Sequence, residues 1–204
     1  MITVFASAKH GIPMLHMIRH TIAIASLVAV HTVMAFPTGL PQPSGARQNT
    51  GCTPLVGFSP SHGAMDLVIK LIDSTTQGQE IDISAYEFAS RRIAAALHTA
   101  LNRGVTLKLA VDAGVNVGKR YSRAYEFLNT PGAEVRYEDR WPIFHEKVVL
   151  VPALNALEEG SMNFTDAGDT KNHENANLFP NCQAVVEQYE ANFDDIWRQG
   201  TPLQ

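Results

Sequence analysis

Apolar side chains recur at helical spacing in two segments of the chain, and strand-like runs lie before and after each of them. The second helix is predicted to begin after Ser90, a residue type favoured at helix N-caps, and to end near Gly104. Because strand, helix and strand follow one another, the pattern predicts a βαβ unit. The two apolar stripes consist of Ala64, Leu67, Val68, Leu71 and Ile72, and of Ile93, Ala96, Leu97, Ala100 and Leu101.

The predicted strands are short apolar or alternating runs separated by turn residues. A short helix over 123–128 and a closing helix over 183–198 complete the set, and we find no internal repeat. This order of elements predicts an α/β fold, with a mixed central β-sheet flanked by helices in a single domain. The strands are predicted at 54–58, 80–88, 105–111, 133–137, 145–151, 159–163 and 174–178.

The start of the chain has a different composition. Residues 1–36 contain no Asp or Glu, and an uncharged apolar run over 21–30 follows Arg19. This layout predicts an N-terminal extension and signal peptide over 1–35, with export to the periplasm or the medium and no stable membrane insertion after cleavage. Residues 36–51, rich in Pro, Gly, Gln, Ser and Asn, are predicted to form a flexible linker before a folded domain over 52–204.

Charge and cysteine content exclude few classes of function. The formal net charge of the 204 residues is −4. A nucleic-acid-binding surface would therefore have to be a local basic patch. The two cysteines, Cys52 and Cys182, lack the paired spacing of a zinc site. They would form a disulfide in an exported protein or remain buried thiols in a cytosolic one.

The side chains that could take part in a reaction lie in the last third of the chain. In a strand, His145 and Lys147 would point to the same face, and so would Ser161 and Asn163. An imidazole, an ammonium, a hydroxyl and an amide on one surface suit a phosphate diester. The alternative is a solvated strand face beside turn-forming residues.

The runs FHEKVVLV and GSMNFTDAGDTKNHENANL resemble the HKD motif and the segment that follows it in the phospholipase D superfamily. Within that superfamily, the chain is most similar to the small bacterial endonucleases that carry one motif per chain. The likeness extends over about residues 52–200. The pattern of the family has Asp five residues after the motif lysine, whereas this chain has Pro152 there.

The resemblance implies a role for each of five residues. It implies that His145 is the catalytic histidine, that Lys147 binds the substrate phosphate, and that Glu174 orients the histidine. Ser161 and Asn163 would be donors to the phosphate oxygens. It implies no metal ligand and no cofactor.

The resemblance also implies a homodimer with one composite site, because one histidine cannot act as nucleophile and proton donor at once. We expect a metal-independent phosphodiesterase, an endonuclease acting on DNA or also RNA through a phosphohistidine intermediate. A phospholipid hydrolase of the phospholipase D type and an inactive nucleic-acid-binding relative are the alternatives.

Two further groups of residues stay open at the level of sequence. The loop that contains Lys119, Arg120 and Arg123 either adds positive charge near the substrate or is a solvated helix start. It resembles a phosphate-binding P-loop only superficially, since its glycines are one residue too close. The aromatic residues Tyr137, Trp141 and Phe144 either stack on bases or belong to the core, and we favour the core for Phe144.

Overall fold

The computed structural model describes residues 52–61 and 63–204. Eight strands are present in this part of the chain: Leu55–Phe58 (β1), Glu80–Ala85 (β2), Thr106–Asp112 (β3), Ala133–Glu138 (β4), Lys147–Val151 (β5), Ala156–Gly160 (β6), Asn175–Phe179 (β7) and Thr201–Pro202 (β8). They form one sheet in the order β1-β7-β6-β5-β2-β3-β4-β8. β2, β3 and β4 are parallel, and the other neighbouring pairs are antiparallel. The sheet is therefore mixed, as predicted.

Helices cover both faces of the sheet. The α-helices are Ala64–Asp73 (α1), Arg91–Asn102 (α2), Ala113–Asn116 (α3), Asp166–Thr170 (α4) and Gln183–Gln199 (α5). α1 and α2 contribute to the larger apolar core, on the face to which Ile81, Ile83 and Ala85 of β2 point. α5 packs on the opposite face, where it adds Val186, Phe193 and Ile196 to a second apolar cluster. The central strand β5 is buried along its whole length, as expected for a strand covered on both faces.

The two amphipathic helices form where the apolar stripes predict them. α1 buries Ala64, Val68, Leu71 and Ile72. α2 begins after Ser90, whose side chain accepts a hydrogen bond from the backbone N–H of Ile93 at 3.3 Å. Gly104, with φ of +84°, lies just past the end of α2. Its left-handed conformation is one that glycine adopts without strain, which explains the stop.

Before β5, two predicted elements were wrong in extent or type. The segment predicted as a helix over 123–128 is a 3-10 helix, Arg123–Phe127, too short to continue as an α-helix. The strand predicted over 80–88 ends at Ala85, because the chain then turns away from the sheet toward α2. α3, α4 and β8 were not predicted, since elements of two to five residues carry too little periodicity to be recognised.

Cys52 and Cys182 form a disulfide with a Cα–Cα distance of 5.1 Å. It joins the segment before β1 to the residue before α5, which are 130 positions apart. The predicted signal peptide and linker over 1–51 lie outside the described residues. Within residues 52–61 and 63–204, none of the helices has the length and apolar character needed to span a bilayer.

One edge of the sheet gathers the ends of several strands, and we call it the carboxyl edge. The parallel strands β2, β3 and β4 all end there. β5 runs antiparallel to β2 and begins at this edge, β6 ends there, and β7 begins there. In open α/β sheets, ligand sites form at the carboxyl ends of parallel strands. The fold therefore places a site at this edge.

Candidate active site

The register of the sheet brings the predicted site residues to the carboxyl edge. Lys147 is the first residue of β5 and pairs with Ala85, the last residue of β2. His145 lies two residues before β5, Ser161 directly follows β6, and Glu174 directly precedes β7. Because β5, β6 and β7 are adjacent and antiparallel, the end of one lies beside the start of the next.

The site residues other than Lys147 lie in loops at strand ends, not within strands. The predicted strands 145–151, 159–163 and 174–178 are in fact Lys147–Val151, Ala156–Gly160 and Asn175–Phe179. β5 cannot extend back to His145 because its ladder partner β2 ends at Ala85. The alternation argument for placing His145 beside Lys147 was therefore wrong, although the two side chains do meet.

Lys147 and His145 are in direct contact. The Nζ atom of Lys147 lies 3.0 Å from Nδ1 of His145 and donates to the His145 carbonyl oxygen at 2.7 Å. Lys147 is buried, with 6% of its surface exposed, whereas the His145 ring is exposed. An ammonium can only donate hydrogen bonds. The neutral imidazole in this contact therefore accepts at Nδ1 and carries its proton on Nε2.

The charge of Lys147 is poorly solvated. Burial lowers the pKa of the Lys147 ammonium below its ordinary value, and the negative charge of Glu174 offsets part of that effect. A buried cation with no ion pair among the described residues gains more from a bound anion than an exposed one would. This property suits a residue that binds a phosphate oxygen.

Ser161 and Glu174 form a hydrogen-bonded pair beside Lys147. The Ser161 hydroxyl donates to Oε2 of Glu174 at 2.7 Å and accepts from the backbone N–H of Asn175 at 3.0 Å. The amide of Asn172 donates to Oε1 of Glu174 at 3.1 Å. Both oxygens of the carboxylate are thus engaged. No hydrogen bond joins Glu174 to His145 in the described part of the chain, so the orienting role that the resemblance implies stays a prediction.

Two residues at the end of β6 and just after it, Gly160 and Asn163, lie in constrained positions. A Cβ atom on Gly160 would lie 2.2 Å from the carbonyl oxygen of Asn175, so any other residue would force β6 and β7 apart. The Oδ1 atom of Asn163 is buried and has no hydrogen-bond partner among the described residues. Such an atom costs free energy in the folded protein. Because Oδ1 only accepts hydrogen bonds, a phosphate diester, whose oxygens are also acceptors, would instead meet the Nδ2 donors of this amide.

Sequence reasoning missed Tyr86, which follows β2 at the carboxyl edge. The centroid of its ring lies 4.6 Å from that of His145, and Nζ of Lys147 lies 5.4 Å from the Tyr86 centroid. An ammonium near an aromatic face is attracted to it. Tyr86 thus forms a wall for both side chains. Its position after an apolar strand was the only available signal.

Asp112 and Asn116 were also missed, and they hold the loops around the site. Asp112, at the end of β3, accepts from the backbone N–H of Phe144 at 2.7 Å and so fixes the residue before His145. The buried amide of Asn116 donates to the carbonyl oxygens of Tyr86 and Asp112. Its oxygen accepts from the backbone N–H of Phe88 and the Ser122 hydroxyl. These loops are therefore joined to one another.

The aromatic residues before the motif divide into buried and exposed ones. Phe144 is buried in the second apolar cluster, which confirms its core position. Trp141 is 43% exposed and stacks on Phe144 with a centroid distance of 6.0 Å. The Arg140 guanidinium lies 4.3 Å from the centroid of the Trp141 ring. Tyr137 is partly buried against the larger core. Trp141 alone of the three presents a largely exposed ring.

Pro152 lies at the end of β5 opposite to the site. It begins a 3-10 turn over Pro152–Leu154, after which Asn155 adopts the left-handed conformation. The carbonyl oxygen of Asn155 accepts from the backbone N–H of Cys182 at 2.7 Å. At ~3.3 Å per strand residue, Pro152 is about 17 Å from Lys147 along β5. The departure from the motif is therefore remote from the side chains that would meet phosphate.

The comparisons with known proteins agree with this fold. A family model described as "Cardiolipin synthase, PLD-like domain" matches residues 68–197. The proteins named phospholipase D from Rickettsia typhi and Rickettsia bellii are 29% and 30% identical over 136 residues, or 67% of this chain. The match spans 64% and 65% of those two relatives, so the chain covers less than two thirds of their length.

Two solved structures share the architecture. Nuc from Salmonella typhimurium, a phospholipase D family member, has a TM-score of 0.68 and 36% identity, covering 75% of this chain and 99% of Nuc. NucT from Helicobacter pylori has a TM-score of 0.66 over 74% of this chain and 99% of NucT, and its 17% identity supports the fold alone.

The mixed sheet is that of a phospholipase D-like domain. The His-x-Lys pair at its carboxyl edge suits a site that binds a phosphodiester. The chain belongs to the phospholipase D superfamily and is close to the small bacterial Nuc-type proteins. The predicted family and fold class are thereby confirmed. Among the described residues, we find no group of three or more His, Cys, Asp or Glu side chains arranged to hold a metal ion.

Proposed function

We propose that this chain is a phosphodiesterase that cleaves DNA, and also RNA, as a non-specific endonuclease. The observation that carries the proposal is the contact between Lys147 and His145 at the carboxyl edge, beside Ser161 and Asn163. The likeness of the chain to Nuc covers nearly all of that protein and favours nucleic acid over other phosphodiesters as the substrate.

The proposed reaction needs two copies of the chain, because displacement at phosphorus requires a nucleophile and a proton donor on opposite sides. We propose a homodimer with one composite site. Nε2 of His145 in one subunit attacks phosphorus, so that a P–N bond forms and the P–O bond to the leaving group breaks. The partner's His145 gives its proton to the leaving oxygen. Water then attacks phosphorus, the P–N bond breaks, and the proton of that water returns to the partner's His145.

The contact of Lys147 with His145 assigns a resting state to each imidazole, which is neutral with its proton on Nε2. Neither role can start from that state, because the nucleophile needs a free lone pair on Nε2 and the acid must be an imidazolium with both nitrogens protonated. When the phosphate oxygens draw both Lys147 ammoniums away, Nδ1 of each His145 is released and can hold a proton. Substrate binding would thus prepare one imidazole as the neutral nucleophile and the other as the cationic acid.

Two Lys147 ammoniums, one from each subunit, would stabilise the charge on the non-bridging oxygens. The N–H groups of the Asn163 amide would donate to the same oxygens, and so would the Ser161 hydroxyl once it turns away from Glu174, to which it donates in the structure. In many nucleases, metal ions supply this charge stabilisation. We therefore propose that the enzyme needs no metal and no cofactor. Glu174 would favour the protonated imidazole of a neighbouring His145 in the assembled site.

A second candidate function is hydrolysis of phospholipid. The supporting observation is that the Rickettsia relatives carry the name phospholipase D. The chemistry at phosphorus would be the same, and only the groups around the diester would differ. A third candidate is an inactive nucleic-acid-binding relative, although Pro152 lies too far from Lys147 to argue for lost activity.

The experiment that tests the proposal is an assay of the purified protein on plasmid DNA, single-stranded DNA and RNA with EDTA present, beside release of choline from phosphatidylcholine vesicles. We expect cleavage of nucleic acid in EDTA and no choline release. Choline release alone would replace the nuclease by a phospholipase, and DNA binding without turnover would support the inactive relative. Activity lost in EDTA and restored by magnesium would contradict metal independence.

We also propose that the protein is exported to the periplasm or the medium. The supporting observation is the disulfide between Cys52 and Cys182, since disulfides persist mainly in oxidising compartments. Fractionation of producing cells, with free-thiol labelling of the recovered protein, tests this proposal. Reduced protein confined to the cytosol would contradict it.

A further inference from the structure

A cavity of about 460 Å³ opens near the site, and we call it the flanking cavity. Three arginines, one tyrosine and two acidic residues supply its polar lining: Arg91, Arg120, Arg123, Tyr121, Glu126 and Asp166. None of these residues belongs to the His-x-Lys motif or contacts His145 or Lys147 in the structure. The flanking cavity is therefore a separate feature that the proposed chemistry leaves unused.

The flanking cavity lies at the carboxyl edge of the sheet, as the site does. The loop after β2 runs from Tyr86, which packs on His145, to Ala89, which lines the cavity. Backbone hydrogen bonds from Ala89 and Ser90 to Phe164 join this loop to the segment that carries Asn163. The three residues from Tyr86 to Ala89 span at most about 10 Å. A nucleic-acid strand with stacked bases covers that distance in about three nucleotides, at a rise of ~3.4 Å.

The charges in the flanking cavity leave one cation available. Arg91 donates from its backbone N–H and its Nε to Asp166, and Arg123 pairs with Glu126. Both acidic residues are thus neutralised within the cavity. Arg120 is exposed and makes no ion pair or side-chain hydrogen bond among the described residues. An arginine of this kind is free to bind a phosphate with two parallel N–H donors.

The loop that carries Arg120 is held in place at both ends. Buried Asn116 accepts from the Ser122 hydroxyl at 3.0 Å, and the backbone N–H of Ser122 donates to the Lys119 carbonyl oxygen. Between these anchors lie Arg120 and Tyr121, which is 50% exposed. A preorganised loop loses less conformational entropy when a ligand binds. Tyr121 and Arg120 therefore line the flanking cavity from a loop whose backbone is anchored.

We propose that the flanking cavity binds one nucleotide of the substrate strand about three positions from the scissile phosphate. Arg120 binds its phosphate and Tyr121 stacks on its base, a combination of charge and aromatic surface that serves single nucleic-acid strands. This inference rests on the proposed function and adds to it. With this second contact, the enzyme would bind a polymeric substrate better than an isolated diester.

The test compares Arg120→Ala and Tyr121→Ala with wild type on a labelled oligonucleotide and on bis(p-nitrophenyl) phosphate, which is too small to reach the flanking cavity. We expect each variant to lower kcat/KM for the oligonucleotide roughly tenfold more than for the small diester. Lys70→Ala is the matched control, because Lys70 is exposed and lies near the end of α1 at the opposite edge of the sheet. It should change both substrates equally.

Binding gives a second measurement. In a His145→Ala background, the dependence of oligonucleotide affinity on salt concentration should weaken by about one phosphate contact when Arg120→Ala is added, and not when Lys70→Ala is added. Equal losses on both substrates, or a salt dependence that Arg120→Ala leaves unchanged, would overturn the proposal. A wild type that hydrolyses the diester but cleaves no oligonucleotide would instead overturn the nuclease function on which it rests.

Discussion

The Nζ atom of Lys147 lies 3.0 Å from Nδ1 of His145, so the cation that we propose binds phosphate also decides which nitrogen of the neutral imidazole carries the proton. The same ammonium donates to the carbonyl oxygen of His145. A single side chain thereby fixes both the position of the ring and the nitrogen that carries its proton. Substitutions of Lys147 should therefore affect chemistry far more than folding.

Lys147→Met is expected to lower kcat/KM for phosphodiesters by about 10²- to 10³-fold, as when a preorganised charge donor is removed from a transition state. The variant should not lose stability, because burial already lowers the pKa of this ammonium and makes its charge costly. Urea unfolding beside diester hydrolysis measures both effects. Lys70→Met is the exposed control and should alter neither. A variant that loses activity and stability together would contradict this separation.

His145→Ala should reduce cleavage to background in the homodimer, since acid–base groups contribute about 10²- to 10⁴-fold each and both are lost. The mixed dimer is the sharper experiment. Because one composite site needs both histidines, mixing His145→Ala with Lys147→Met chains should not restore wild-type activity. Restored activity in the mixture would contradict a single composite site, because it would show that the dimer builds two sites, each from His145 of one chain and Lys147 of the other.

Asp82 should make stability depend on pH. Burial raises the pKa of this carboxyl to about 7, with Glu80 adding to the effect and Lys108 opposing it. The folded protein therefore binds the Asp82 proton more tightly than the unfolded chain does. The stabilisation is complete below pH 4 and is lost as the pH rises through 7. Since one pKa unit is worth about 1.4 kcal/mol, the upper limit of the loss is ~4 kcal/mol.

Asp82→Asn should remove that dependence, so that the variant gains stability over wild type as the pH rises from 5 to 8. The measurement is the free energy of unfolding in urea at several pH values, taken as the difference between wild type and variant. Asp139→Asn, which alters an exposed carboxyl, is the control. A constant difference across the range would show that burial does not perturb Asp82.

Asn116→Ala is expected to lower the free energy of unfolding by about 3 kcal/mol. The substitution leaves the buried N–H of Phe88 without its acceptor and removes the ties from Tyr86 and Ser122. Asn192→Ala is the matched control, since the Asn192 amide makes one exposed contact with Glu146. That variant should stay within about 0.5 kcal/mol of wild type. Equal stability of the two variants would contradict the anchoring role of Asn116.

Replacement of Cys52 and Cys182 by alanine should cost about 2–4 kcal/mol, because the bridge restricts the unfolded chain across most of the domain. Wild type treated with a reductant should lose a similar amount, and the double variant should not respond to the reductant. Thermal unfolding with and without dithiothreitol measures both. A wild type indifferent to reduction would show that the bridge adds nothing to stability.

Periodicity predicted those parts of the fold that depend on local pattern. α1 and α2 each carry an apolar stripe long enough to be recognised, and the limits predicted for α2 and α5 agree with the structure to within two residues. Strand ends could not be predicted in the same way, because they depend on where the neighbouring strand stops. His145 lies outside β5 for that reason, since β2 ends at Ala85.

The site was predictable only as far as its motif extends. His145, Lys147, Ser161 and Asn163 could be named, and the sheet order explains how they meet. Tyr86 lies far from them in sequence, and only the three-dimensional pairing of β2 with β5 brings it to His145. The partners of Glu174 were not predicted either. Hydrogen bonds to Ser161 and Asn172 depend on loop geometry that no spacing rule describes.

The position of Pro152 changes how the motif should be read as a search pattern. Its histidine and lysine belong to one end of β5, whereas its last position belongs to the turn at the other end, which is tied to Cys182. The two ends make different contacts, so the substitution at Pro152 leaves the contact between His145 and Lys147 in place. A search pattern that requires Asp at the last position would miss chains such as this one, in which the histidine and the lysine of the motif are both present.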